Sequence, residues 1–456
     1  MNRSRHLGVL AILVLLPLLA CEPGRPREAQ APRKPSPPNI VIFLADDLGW
    51  GDVGYHGSEI PTPAIDALAA RGVRLERFYA TPKCTPTRTR LMTGRWAIRY
   101  DLVYNLKPWR SAGFPASLPT LPGILRRHGY RTALVGKWHL GDAPGARPMD
   151  RGFDWHYGNL GGVIDHWRHR RKNGDLDWWR GTKLVEEPGF SANLLAREAV
   201  RWLGEERDKP FFLYNAFTVP HTPLEAPDEM LAVCGHIRDP KRRAYAGMVV
   251  AFDRAVSRVI ETLRDDGRLD DTIIVLLGDN GASPRHGGNT GPFRGHKESV
   301  YEGGLRVPAV ISWPGHLPEG TRTDQLLTIT DLPPTLLAAA GVETDAEFDG
   351  RNLWAELSTG KVVPREPLYF AVEDNERVHL AVLDDPLKLI LVWSKKARAP
   401  EERHLYDVLA DRGERHDLWS ERPEDVSRLL RLLGTWWQLH PRAAELIPQE
   451  TFQTGT

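Results

Sequence analysis

Four short apolar runs, each ending in ionisable or amide residues, constrain the fold of this 456-residue chain more than any other feature. Ile40–Leu44 runs into Ala45-Asp46-Asp47, and Tyr130–Val135 into Gly136-Lys137-Trp138-His139. Phe211–Phe217 runs into Thr218-Val219-Pro220-His221, and Thr272–Leu277 into Gly278-Asp279-Asn280-Gly281. Uninterrupted β-favouring runs of this length predict strands buried on both faces. Helix patterns separate them. Thr62 and Pro63 open one that closes at Gly72, and Tyr245, Met248, Val249, Phe252, Val256, Val259, Ile260 and Leu263 mark the stripe of another. Strands alternating with helices predict an α/β fold whose large, mainly parallel sheet is covered by helices on both faces. Ligands bind such sheets outside the carboxyl ends of the strands. All four runs place polar residues at that edge.

After Gly341 the pattern changes. Pro367–Val372, Val378–Leu383 and Leu387–Trp393 are strand-like and separated by short turns, and Asp425–Leu439 carries an apolar face of Val426, Leu429, Leu430, Leu433 and Trp436. These predict a smaller antiparallel sheet with a closing helix, giving a catalytic domain over 39–345 and a C-terminal α+β subdomain over 346–456. Composition excludes other classes. With 60 Lys+Arg against 59 Asp+Glu, overall charge attracts no polyanion, and no nucleic-acid partner is expected. Three cysteines exclude a disulfide scaffold.

The first of those cysteines closes a leader. Arg3 and Arg5 precede fourteen residues, Leu7 to Ala20, that are apolar and too few to span a bilayer. Leu18-Leu19-Ala20-Cys21 resembles the lipobox of bacterial lipoproteins, which implies cleavage after a signal peptide at 1–20 and lipidation of Cys21. The alternative is an ordinary cleaved signal, and both export the protein. Residues 22–38 hold six prolines in seventeen positions, so 21–38 reads as an extended tether. The expected location is the bacterial periplasm or cell surface, anchored to a membrane through lipid.

At the sheet edge, Asp46, Asp47, Asp279 and Asn280 offer hard oxygen donors suited to Ca²⁺ or Mg²⁺ rather than zinc or copper. Either pair alone reads first as a solvated turn, for Asp46-Asp47, or a helix cap, for Asn280, and it is their joint placement at two strand ends that favours a metal. Cys84 opens Cys84-Thr85-Pro86-Thr87-Arg88-Thr89-Arg90-Leu91-Met92-Thr93-Gly94, a helix signal stopped by glycine. A thiol at a helix N-terminus among Lys83, Arg88 and Arg90 suggests a low-pKa nucleophile or an anion site, against the default of a buried structural cysteine.

The Cys-x-Pro-x-Arg segment with its trailing Thr93-Gly94-Arg95 resembles the signature of the type I sulfatases of the alkaline phosphatase superfamily. Leu44–Gly49, Gly136–Gly141, Gly278–Gly281, Gly295-His296-Lys297 and Tyr301–Gly304 fit in order, as do Arg151–Asp154 and Leu405-Tyr406-Asp407. The match is best to the arylsulfatase B-like branch. The resemblance implies an alkaline phosphatase-like fold and a sulfuric ester hydrolase, matured by a formylglycine-generating enzyme that oxidises Cys84 to Cα-formylglycine. A hydrated aldehyde has two hydroxyls on one carbon: one attacks sulfur, and the other expels sulfate and restores the aldehyde. The resemblance further implies that Asp46, Asp47, Asp279 and Asn280 hold Ca²⁺, with Mg²⁺ as the alternative, in contact with residue 84 and a sulfate oxygen. Arg88 and His139 would position and activate the nucleophile, Lys137 and Lys297 clamp sulfate, and His221 protonate the leaving alcohol. Thr87 departs from the more common Ser or Ala.

Trp138, Trp155, Trp167, Trp178 and Trp179 cluster beside Arg168, Arg170, Arg171 and Lys172. Flat rings for sugars and cations for further sulfates suit a sulfated polysaccharide, and a Trp-stabilised loop with a basic tip suits the same residues. The expected substrate is a sulfated carbohydrate or aryl sulfate, with N-acetylgalactosamine 4-sulfate implied by branch. Two other readings remain: a phosphonate or phosphate-ester hydrolase of the same superfamily, and a lipoprotein that binds sulfated glycans without converting Cys84. Cys234 reads as a buried apolar residue.

Overall fold

The four apolar runs become four adjacent parallel strands. In the computed structural model these are β1 (Asn39–Ala45), β2 (Arg131–Gly136), β3 (Phe211–Ala216) and β4 (Thr272–Gly278), lying side by side in the order β4-β1-β3-β2. The structure describes residues 37–107, 111–205 and 208–453. The expected signal peptide, Cys21 and all but the last two tether residues therefore lie outside the described residues. Among the described residues, no helix is long and apolar enough to cross a membrane.

β1 occupies the centre of a ten-stranded sheet, and its alternation shows why an unbroken apolar run is needed there. Val41, Phe43 and Ala45 enter one core with α1 (Pro63–Arg71), α3 (Ser191–Leu203) and α4 (Pro240–Asp265). Ile40, Ile42 and Leu44 enter a second core with α2 (Cys84–Thr93) and α5 (Leu332–Ala339). Burying each such side chain contributes roughly 1.5–3 kcal/mol, and neither face has room for a polar residue. The sheet is mixed. β5 (Ala309–Ser312) runs antiparallel beside β4, and residues 73–75 and 321–323 extend that side. Residues 155–158, 179–180 and 183–184 extend the other.

Register carries the functional consequence. Ala45 is level with Gly278, Leu44 with Ala216, and Gly136 with Ala216, so the polar segments after β1, β2, β3 and β4 emerge at one height.

The smaller antiparallel sheet has four strands rather than the three expected: β6 (Leu368–Glu373), β7 (Arg377–Asp384), β8 (Leu387–Ser394) and β9 (Ala399–Asp407). One face packs on α6 (Pro423–Trp437) through Leu389, Leu391, Leu429 and Leu433. The opposite face carries Phe370, Val372, Ile390 and Val392 against Tyr79, Val300 and Leu305. That contact brings the small sheet against the segment just after Lys297.

Candidate active site

Each element delivers its residues through a local backbone device. Successive residues of a strand point to opposite faces, which would separate Asp46 from Asp47. Asp47 instead adopts φ 68°, turning the chain at the strand end so that both carboxylates reach the same cluster. Gly136, at φ 133°, lies so close to β3 that a Cβ would fall 1.7 Å from the Ala216 carbonyl oxygen. Only glycine fits there, and Lys137 follows at once. His139 is also left-handed, at φ 59°.

Helix α2 is rich in threonine, a poor helix former, and all ten of its residues are buried. Thr89 and Thr93 satisfy their hydroxyls on the Thr85 and Thr89 carbonyls, at 2.9 and 2.7 Å. Pro86 lies in the first turn, where no amide donor is required, and Gly94 closes the helix by donating its backbone N–H to the Arg90 carbonyl. This arrangement holds Cys84 at the first helical position beneath the sheet edge.

The sequence-predicted residues converge. Ligand atoms of Asp46, Asp47, Cys84 and Asp279 all lie within 4.8 Å of one another. Cys84 Sγ is 3.4 Å from both Asp46 Oδ1 and Asn280 Oδ1, and 3.8 Å from Lys297 Nζ. Lys137 Nζ donates to Asp46 Oδ2 at 2.5 Å, and Lys297 Nζ to Asp47 Oδ1 at 2.7 Å. Arg88 donates through Nε and Nη2 to Asp279 Oδ2 and through Nη1 to the Lys137 carbonyl at 2.8 Å. His221 Nε2 lies 3.7 Å from Asp47 Oδ2. His139 stands beside the cluster, its carbonyl accepting from Thr85 Oγ1 at 3.2 Å.

Electrostatics follow from burial. Burial pushes the Asp47 carboxyl up, but the Lys297 ammonium and His221 outweigh it and hold the group well below the usual carboxylate range. Burial and the neighbouring Asp46 charge push Asp279 up despite Arg88. Lys297 is driven above its ordinary value, Asp47 overcoming desolvation. Burial, Lys137 and Arg88 push His139 far down, and burial with Lys297 lowers His221 to about 3. Both rings are therefore neutral at pH 7.

Three carboxylates and one amide oxygen suit a hard divalent cation. Asp46, Asp47 and Asp279 are balanced by Lys137, Lys297 and Arg88, so the cluster is formally neutral. A divalent cation alone would leave it positive. A singly charged sulfate monoester bound with the cation would lower that excess from +2 to +1, so these residues suit the pair better than the cation alone.

Two expectations are corrected. The Cys84 thiol does not have a low pKa: burial and the Asp279 charge push it far up, outweighing the helix terminus and nearby lysines. The tryptophan cluster is not one sugar platform. Trp138 and Trp178 are fully buried, Trp178 edge-on to Tyr157 and stacked with His169, because their rings fill the core beside the sheet. Trp155 and Trp179 are half-buried, and Trp167 alone of the five is exposed. Cys234 is fully buried, as expected.

Sequence reasoning missed Tyr214, whose hydroxyl is buried near Arg88 and Cys84 and, among the described residues, has no hydrogen-bond partner. Its only signal is one phenol within an apolar run. Also missed was the buried trio Glu302, Lys388 and Glu414, joined at 2.9 Å on each side of the lysine. Glu302 lies in the quoted Tyr301–Gly304 segment, but nothing local reveals a partner 86 residues away.

Fold and site define a class: an α/β enzyme in which metal-suited oxygens and fixed cations meet at a sheet's carboxyl edge to receive an anionic ester. Comparison supplies the family. The Sulfatase family model matches residues 38–342, and that of the N-sulphoglucosamine sulphohydrolase C-terminal region matches 289–432. Mouse arylsulfatase J is 33% identical, the match covering 88% of this chain and 75% of that protein. Human N-acetylgalactosamine-6-sulfatase is 35% identical over 74% of this chain and 69% of its own length. The crystal structure of Ps i-CgsB in complex with k-i-k-neocarrahexaose superposes with TM-score 0.83 at 32% identity, covering 92% of this chain and 95% of that one. This chain belongs to the sulfatase family of the alkaline phosphatase superfamily and is a sulfuric ester hydrolase.

Proposed function

We propose that the protein hydrolyses sulfate monoesters of sugars within glycans at the cluster around residue 84. The observation that carries this is the position of Cys84 Sγ, at once 3.4 Å from Asp46 Oδ1 and Asn280 Oδ1 and 3.8 Å from the Lys297 ammonium. A nucleophile derived from this side chain would begin beside both the metal-suited oxygens and the cation that draws in the anion.

Ca²⁺ held by Asp46, Asp47, Asp279 and Asn280 would supply Lewis-acid chemistry, and formylglycine at position 84 a nucleophile that regenerates. The remaining functions fall to this chain's own residues. Lys137 and Lys297 offer fixed positive charge to sulfate oxygens, and being already desolvated they need little reorganisation as charge shifts. Arg88 fixes both Asp279 and the Lys137 backbone, and so sets the spacing between metal site and clamp. His139 Nε2 is tied to the Leu106 carbonyl at 3.2 Å, while Nδ1 is buried and, among the described residues, unpartnered. That nitrogen is available to hold a hydroxyl proton. His221 Nδ1 is tied to the Thr222 carbonyl at 2.7 Å, which leaves Nε2 for the proton destined for the leaving alcohol. An anion beside Lys297 would offset the charge that depresses His221 and favour proton uptake as substrate binds.

Relatives support the sugar class: one is an N-acetylgalactosamine-6-sulfatase, and another was solved with neocarrahexaose. N-acetylgalactosamine 4-sulfate, implied by branch resemblance, is the specific substrate proposed. The lipid-anchored, exported location is proposed from the Leu18–Cys21 motif. Peptide mass spectrometry of the segment containing residue 84, from the native host, should show loss of the thiol in favour of an aldehyde. The same preparation should release sulfate from 4-nitrophenyl sulfate faster than phosphate from 4-nitrophenyl phosphate. An intact thiol would sink the mechanism, and preference for the phosphate ester would sink the substrate class.

A further inference from the structure

Val163 and Trp167 are exposed by 45% and 42%, and the loop that carries them touches both candidate histidines. At one end, Gly162 lies against His139: a Cβ on it would sit 2.5 Å from the ring's Cε1 and Nε2. Four residues later, the His166 ring reaches the His221 carbonyl at 3.0 Å through Nε2 and Ser191 Oγ at 2.9 Å through Nδ1. Trp167 follows directly. The loop therefore bridges the residues placed on the nucleophile and leaving-group sides of the cluster.

The loop is built rather than merely tolerated. One carboxylate, Asp165, accepts the amides of Trp167, Arg168 and Arg170 at 3.2, 2.6 and 2.7 Å. The Gly189 amide donates to the Trp167 carbonyl at 3.1 Å. The Phe190 ring packs on the indole at 5.3 Å and 55°, fixing its position while leaving part of its surface in solvent. Arg168, the next residue, is also exposed.

We propose that Trp167 is a stacking platform for a sugar ring next to the sulfated one, with Arg168 facing that sugar's own sulfate or carboxylate. This rests on the reading of the protein as a glycan sulfatase and makes that reading specific: a polymeric or oligomeric sulfated glycan, not an isolated monosaccharide. A pyranose presents a C–H face that suits an indole, and a ring already fixed loses little freedom on binding. Leu184, Val362 and Leu409 are at least as exposed. None lies in a segment that contacts His139 or His221.

The test compares the parent chain with Trp167→Ala and Trp167→Phe. Sulfate release is followed from neocarrahexaose, from a chondroitin sulfate hexasaccharide and from 4-nitrophenyl sulfate. Trp167→Ala should lower kcat/KM for whichever hexasaccharide is cleaved at least fivefold more than for the aryl ester, mainly through KM, and Trp167→Phe should recover most of the difference. In parallel, calorimetry on Cys84→Ser protein should show hexasaccharide binding weakened about tenfold by Trp167→Ala. Equal losses on glycan and aryl ester, no loss on either, or no hexasaccharide binding by the Cys84→Ser protein would overturn the platform. So would a change in sedimentation with glycan KM unaltered, which would assign the ring to a second copy of the chain. Trp167-dependent binding without sulfate release from any ester would keep the platform and overturn the sulfatase reading instead.

Discussion

Arg88 and Asp279 form an ion pair with no exposed surface on either side chain, Nη2 standing 2.9 Å from Oδ2. The pair joins helix α2 to the end of strand β4, and a third N–H of the same guanidinium holds the Lys137 carbonyl. Removing the arginine would take away the cation that opposes both the burial of Asp279 and its repulsion by Asp46. Breaking a buried pair in this way costs about 3–5 kcal/mol. Arg88→Ala is expected to lose that much in urea unfolding, together with sulfate release. Arg88→Lys keeps the charge but not the three-way fork. It should recover part of the stability while activity stays low, because the spacing between Asp279 and Lys137 is no longer set.

Metal removal should be visible without any turnover. A ligand bound only by the folded state stabilises it by about 2.7 kcal/mol at a hundred times its dissociation constant. Chelation of the purified protein should lower the melting temperature, and Ca²⁺ should restore it. Asp47→Asn should blunt the response, since Asp47 supplies one of the three carboxylates and pairs with Lys297. An unchanged melting curve with chelator and with Ca²⁺ would show that the cluster holds no cation.

How much of this is legible in the sequence depends on the distance over which each feature is specified. The four central strands can be read from their own residues, because a strand buried on both faces must be apolar throughout. β9 cannot. Ala399–Asp407 is an edge strand whose first half, Ala-Pro-Glu-Glu-Arg, is polar and partly exposed. Among the site residues, Asp46, Lys137, His221 and Asp279 announce themselves by ending apolar runs. Lys297 has no such marker and is reached only through family resemblance. The acidity of Cys84 is misread because helix position is visible in sequence whereas desolvation is not. The tryptophans mislead for the same reason: spacing shows that rings are near one another, not which of them fill the core.

Lys388 supports the Lys297 segment from the small sheet. Its ammonium, fully buried, lies 2.9 Å from Glu302 Oε1 and 2.9 Å from Glu414 Oε1, and Glu414 also accepts the Glu302 amide at 2.7 Å. Arg294, on the other side of Lys297, donates to Tyr406 and to the Glu414 carbonyl, each at 2.9 Å. Lys388→Met would strand the Glu414 carboxylate and leave Glu302 with Arg306, at 3.5 Å, as its remaining cation. An expected loss of about 3–5 kcal/mol should appear in urea unfolding. A companion Lys388→Met/Glu414→Gln variant should recover part of it, since the stranded charge is then gone. If the double variant is no more stable than the single, that carboxylate was not the source of the cost.

Asp253 gives a pH dependence remote from the cluster. It lies on α4, is 2% exposed, and accepts the Ile65 and Ala64 amides at the start of α1, at 2.9 and 3.3 Å. Burial raises its pKa from 3.8 to about 6, the two amides opposing the shift only in part. The folded state therefore holds this proton to higher pH than the unfolded chain does. Between pH 4 and 6 the native form binds more protons at this site, so its contribution to stability is present below pH 4 and is lost as pH rises through 6. At about 1.4 kcal/mol per pKa unit, the loss is about 3 kcal/mol. Asp253→Asn cannot ionise and keeps one acceptor for the α1 amides. Its stability relative to the parent should rise by about that amount between pH 4 and 7. Parallel urea titrations of the two proteins across that range would show it, and a constant difference would mean that Asp253 titrates alike in folded and unfolded chains.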